Sequence, residues 1–89
     1  MRTTMLKDRL MPESRYEDLR KAVMSAWGSF RPGKEERLAG GNVHLTACSI
    51  ELDPRSEIMR PAERATFDED EAWGGLLSLC NQFGFEENT

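Results

Sequence analysis

VHLTACSIEL, residues 43–52, is the stretch on which the fold turns. Val43, Leu45 and Ala47 alternate with His44 and Thr46, the period of a strand with one apolar face. Ile50 and Leu52 then fall on the opposite parity. Either a bulge near Cys48 and Ser49 shifts the phase, or the strand is covered on both faces. A single strand makes no sheet, so a partner is needed. RTTML (residues 2–6), the stretch around Ala65 to Phe67, and a second copy of the chain are the candidates.

Amphipathic helices flank this strand. On its N-terminal side, Ser14 with Glu17 fits the capping box and predicts a helix over 15–29. Tyr16, Leu19, Val23, Ala26, Trp27 and Phe30 share one arc of that helix, with Glu17, Asp18 and Lys21 outside it, so Trp27 reads as a core anchor. Arg31, Pro32 and Gly33 end the helix. Residues 34–39 read as one further helical turn, and Gly40, Gly41 and Asn42 as a loop into the strand. On the C-terminal side, Asp53-Pro54 signals a short turn over 54–59 that Pro61 stops. Asp68 with Glu71 then repeats the capping box, Phe67 is placed to staple onto Ala72, and Gly84 closes a helix over 69–83. Asp68, Glu69, Asp70 and Glu71 crowd its first turn, where the positive end of the helix dipole favours carboxylates.

The second helix contains Gly74 and Gly75, each of which costs about 1 kcal/mol relative to alanine in a helix interior. Trp73, Leu76, Leu77, Cys80 and Phe83 form its core face. Gly74, Gly75, Ser78, Asn81 and Gln82 lie opposite, and no charge occurs between residues 72 and 85. A solvent-facing side would ordinarily carry Lys or Glu in a chain that is 31% charged. The expectation is a helix packed on both sides, its small residues admitting a close backbone. The alternative is a helix that starts only at Leu76, with Gly74-Gly75 as a turn.

Eighty-nine residues support one core, so the chain is read as a single domain over 1–89 with ends frayed at 1–4 and 86–89. The fold class expected is α+β: two main amphipathic helices packed on a small antiparallel sheet. No signal peptide or membrane span is legible, and two cysteines are few for a small secreted domain, so a cytoplasmic protein is expected. A Cys48–Cys80 disulfide is the alternative state of the thiols. The net charge of −4 is uneven: residues 1–42 carry nine basic and six acidic side chains, and residues 43–89 three and ten.

Chemistry-bearing patterns are sparse. His44 is the one histidine, and in a strand it lies about 13 Å from Cys48 at ~3.3 Å per residue, too far for a thiolate–imidazole pair. His44, Cys48 and Cys80 lack zinc-ligand spacing, the carboxylates at 68–71 lack the EF-hand pattern, and no phosphate-binding, dinucleotide or nucleophile-elbow motif occurs. No enzyme, metal or cofactor is expected.

Two functions of different class follow. The first is a non-enzymatic interaction module: a small acidic inhibitor or adaptor that occludes a basic surface on a partner such as a nucleic-acid-handling enzyme or host defence complex. Its binding residues would be Asp68, Glu69, Asp70, Glu71, Gly74, Gly75, Ser78 and Gln82. In size and charge the chain resembles small acidic phage proteins that block host defence complexes, a similarity of composition that no motif carries. The second is a dimeric nucleic-acid-binding regulator using Arg15, Arg20, Lys21, Arg31, Lys34 and Arg37 against phosphates. Interleaved Glu17, Asp18, Glu35 and Glu36 weigh against it, since Glu17–Lys21 pairing within the helix accounts for part of that charge. A homodimer is compatible with either function.

Overall fold

The computed structural model describes residues 2–53 and 67–88. Its elements run β1 (Arg2–Leu6), β2 (Arg9–Pro12), α1 (Glu13–Ser25), β3 (Gly28–Arg31), β4 (Lys34–Leu38), β5 (Asn42–Thr46), β6 (Cys48–Leu52) and α2 (Glu69–Gln82). The strands form two antiparallel three-stranded sheets, ordered β1-β6-β3 and β2-β5-β4. The architecture is therefore α+β, two helices on antiparallel sheets. RTTML is the partner of the second half of VHLTACSIEL, with Arg2 opposite Leu52 and Leu6 opposite Cys48.

The phase shift in residues 43–52 is real, but its cause is a corner and not a bulge at Cys48 and Ser49. Ala47 adopts φ 52°, which breaks the stretch into β5 and β6 and sends each half into its own sheet. Val43 and Leu45 are buried before the corner, and Cys48, Ile50 and Leu52 after it. A bulge would set two residues against one. Here Leu6 faces Cys48 and Arg9 faces Leu45, while Arg31 faces Ser49 and Lys34 faces Thr46, so the pairing keeps step on both sides. The two sheets are thus one three-stranded sheet folded sharply across all three strands. The Asp8 carboxylate accepts the Ala47 N–H at 3.2 Å, and the Gly33 N–H donates to the carbonyls of Thr46 and Ala47, each at 3.0 Å.

The helix over 15–29 is corrected at both ends. Observed α1 begins at Glu13, directly after β2, and its N-cap Pro12 makes no side-chain capping bond, so the Ser14–Glu17 box is not formed. The sheet sets the entry instead, because the Glu13 N–H donates to the Gly41 carbonyl of the β4–β5 turn at 2.8 Å. The helix ends at Ser25 because Trp27 turns left-handed (φ 57°) and Gly28 starts a strand against β6. A Cβ at Gly28 would lie 3.0 Å from both Leu76 methyl carbons, so residue 28 sits where helix and strand come closest. Trp27 is accordingly a turn residue, and Phe30 a strand residue stacked edgewise on Tyr16 at 5.9 Å. Residues 34–38 are strand β4 and not a helical turn. Pairing with β5 outweighs their local helix preference. The loop at Gly40 and Gly41 is as expected, both at positive φ.

Helix α2 agrees closely with the sequence pattern. Asp68 caps it, its Oδ1 accepting the N–H groups of Asp70 (3.0 Å) and Glu71 (3.2 Å). The helix runs unbroken through Gly74-Gly75. Gly84 (φ 90°) ends it in a Schellman motif: the Phe85 N–H reaches the Cys80 carbonyl and the Gly84 N–H that of Asn81, both at 2.9 Å. Trp73, Leu76 and Cys80 join Tyr16, Leu19 and Val23 of α1, the strand residues and Phe85 in one core.

Both cysteines are free and buried. Burial, aided by the charge of Asp8, pushes the Cys48 thiol up to about 11, and burial alone does the same for Cys80. The ends expected to fray are paired among the described residues: 2–4 belong to β1, and 86–88 lie along its outer edge. The turn expected at 54–59 and residues 65–66 fall outside the described residues, while Phe67 leads into α2 and is in no strand. No described helix is long and apolar enough to cross a membrane.

Candidate interaction surface

Helix α2 presents its predicted outer side to solvent. Gly74, Gly75, Ser78, Asn81 and Gln82 are all exposed, and among the described residues nothing lies within 4 Å of a Cβ built on either glycine. The close backbone expected on that side is therefore not supplied by the described part of this chain. The four carboxylates at the helix start are exposed as well. Asp68 is occupied as the cap, and Asp70 holds the Arg2 guanidinium at 2.9 Å, which in turn sits 5.0 Å from the Trp73 ring centre. Among the described residues Glu69 and Glu71 meet no cation.

The side of α2 facing the end of α1 has a feature that periodicity did not reveal. Ala72, Gly75, Leu76, Leu79 and Gln82 form one wall of a groove of about 340 Å³, and Ala26 with Trp27 forms the other. Trp27 also lines a second hollow, together with Lys21, Met24 and Ser25. Met24 is 66% exposed, the most exposed large apolar side chain among the described residues. Trp27 is held edgewise on Phe67 with ring centres 5.6 Å apart, and its carbonyl accepts the Asp53 N–H at 2.9 Å. Two of the residues singled out from sequence, Gly75 and Gln82, line this groove, while Gly74 and Ser78 lie outside it. Ala26, Trp27 and Leu79 were read from sequence as core or left unremarked. The signal that could have exposed Trp27 is the Trp-Gly pair at 27–28, a bulky residue followed by a breaker where a helix was being extended.

Of the six basic residues, Arg15, Arg20 and Arg37 are engaged within the molecule. Arg15 lies over the Phe83 ring (4.3 Å) and donates to the Gln82 carbonyl (3.1 Å), capping the far end of α2. Arg20 lies over the Tyr16 ring at 5.5 Å. Arg37 is held between Glu13 (2.9 Å) and Glu35 (3.2 Å), which raises its pKa. Lys21, Arg31 and Lys34 are exposed. The Glu17–Lys21 ion pair expected along α1 does not occur; Glu13, Glu35 and Arg37 tie the helix to β4 instead.

Tyr16 anchors that tie by donating a short hydrogen bond to Glu35 Oε1. Burial, then the hydrogen bond to Glu35 and its charge, pushes the Tyr16 hydroxyl well above its ordinary range, and the same bond holds Glu35 below the usual carboxylate value. Among the described residues no three His, Cys, Asp or Glu side chains are grouped to hold a metal. His44 is half-buried in β5, opposite Leu10 and Glu36. No protein-family model, curated protein or solved structure matches the chain at a significant level.

Proposed function

We propose that this protein is a non-enzymatic, cytoplasmic interaction module, an inhibitor or adaptor that covers a basic surface of a partner protein. The observation that carries the reading is the apolar groove of Ala26, Trp27, Ala72 and Leu79 running beside the acidic start of α2. A partner with an apolar ridge flanked by Lys or Arg would fill the groove and meet Glu69 and Glu71, so shape and charge would select it together. The neutral outer side of α2 widens this surface without adding a desolvation cost for charge. Nucleic-acid binding has weaker support, because Arg15, Arg20 and Arg37 are already engaged within the molecule.

The test is capture from an extract of the source cell, with the bound protein identified by mass spectrometry. Capture should be lost with Glu69→Lys/Glu71→Lys and with Leu79→Glu, and should persist with Lys34→Glu. Capture indifferent to the first two variants overturns the proposed surface. Salt-sensitive heparin retention that depends on Lys21, Arg31 and Lys34 would favour the nucleic-acid reading instead.

A further inference from the structure

The folded sheet has two kinds of edge, and they are protected differently. The β4 edge carries Lys34, Glu35, Glu36 and Arg37, all exposed, and charge of this density deters a second strand from pairing there. The β1 edge is different. After Arg2 its residues are Thr3, Thr4, Met5 and Leu6, uncharged and without proline, which is the composition that invites pairing. Residues 86–88 lie on that edge. The Lys7 N–H donates to the Glu86 carbonyl at 2.8 Å, the Asn88 N–H donates to the Met5 carbonyl at 2.9 Å, and Leu6 bridges Glu87.

The contacts of this cover are light. Its side-chain contacts are a Lys7–Glu86 pair at 3.3 Å and a Thr4–Glu87 hydrogen bond at 3.3 Å, both at the surface, where such pairs add little. Backbone groups alternate in direction along a strand, so Thr3 points outward as Met5 and Lys7 do, and residues 86–88 make no bond to it.

We propose that residues 86–88 act as a displaceable strap over a strand-docking edge, and that the partner admitted when they lift is β1 of a second copy of this chain. The edge is self-complementary. With Thr4 on a two-fold axis, an antiparallel copy places Thr3 opposite Met5 and Arg2 opposite Leu6, with no like charges facing. The same operation on β4 sets Glu36 against Glu36. In the β1 pairing Thr3 and Met5 exchange backbone hydrogen bonds across the axis. The Met5 carbonyl is then required both by the copy and by the Asn88 N–H, so strap and copy exclude each other. This surface is separate from the α2 groove, and its test is independent of the capture experiment.

Asn88→Pro in the full chain removes the donor to Met5 and leaves the β1–β6 ladder untouched. Sedimentation across a concentration series should show this variant shifted from monomer to dimer relative to the unsubstituted chain, and Thr3→Pro in addition should reverse the shift, since it deletes an outward donor. A folded Asn88→Pro variant that associates no more than the unsubstituted chain overturns the proposal. A second measurement needs no variant. The Lys7 and Asn88 amides should exchange at least about tenfold faster than that of Ile50, as a strap that opens locally requires. Equal protection at these positions would mean that 86–88 are an integral strand and would overturn it equally.

Discussion

Tyr16 is the one tyrosine in the chain, which makes the Tyr16–Glu35 bond directly readable. Because burial and Glu35 raise the hydroxyl pKa, the phenolate absorbance should not appear near pH 10 in the folded protein; it should rise only with unfolding, followed by circular dichroism on the same samples. Tyr16→Phe should cost about 1 kcal/mol, the net worth of a hydrogen bond to a charged acceptor at a partly exposed site. The pH dependence has a definite sign. Glu35 is depressed in the folded state, so its contribution is complete above the unfolded carboxylate value and is lost as pH falls through the folded one. The difference in stability between the native chain and Tyr16→Phe should therefore narrow on acidification below pH ~4, as measured by urea unfolding. The thiols offer a parallel check. With Cys48 and Cys80 buried and their pKa values near 11, a thiol reagent at pH 8 should label neither until denaturant is added.

Helix α2 was legible from sequence because its determinants are local. Asp68, the carboxylates of the first turn, the spacing of Trp73, Leu76 and Cys80, and Gly84 all act within the helix itself. Asp68→Ala should cost about 1 kcal/mol. Gly74→Ala and Gly75→Ala should each stabilise the isolated chain by about 0.5–1 kcal/mol in thermal unfolding, because an added methyl meets no described neighbour. If those same variants weaken partner capture, the glycines are retained for contact and not for folding. Helix α1 and strand β4 were misjudged because their limits are tertiary. Nothing within residues 13–38 shows that Glu13 will find the Gly41 carbonyl, that Trp27 will turn left-handed, or that β5 will draw residues 34–38 into a ladder. The groove was hidden for the same reason. Its walls come from α2 and from the turn that follows α1, and that turn was itself read as helix.

On the scale of the whole molecule, the corner is the most sequence-sensitive feature. A Cβ at Gly33 would stand 2.7 Å from the Ala47 methyl and 3.0 Å from the Ala47 carbonyl oxygen, so Gly33→Ala must move backbone and should cost about 2 kcal/mol or more. Ala47→Gly should do the opposite and stabilise by about 1 kcal/mol, since glycine holds φ 52° without a Cβ penalty. Equilibrium unfolding of both variants checks the pair. The parity change at Ile50 announced that something happens near residue 47, but choosing a fold across three strands over a bulge in one requires knowing that Asp8 and Gly33 arrive at the same place.

Because neighbouring strands keep step through that crease, neither half-sheet can slip while the other stays in place. Adding or deleting one residue anywhere along β1–β2, β3–β4 or β5–β6 would offset one half against its buried faces and invert which side chains point inward. Insertions and deletions should therefore be tolerated in the connections, while the long strands should admit changes of residue but not of number.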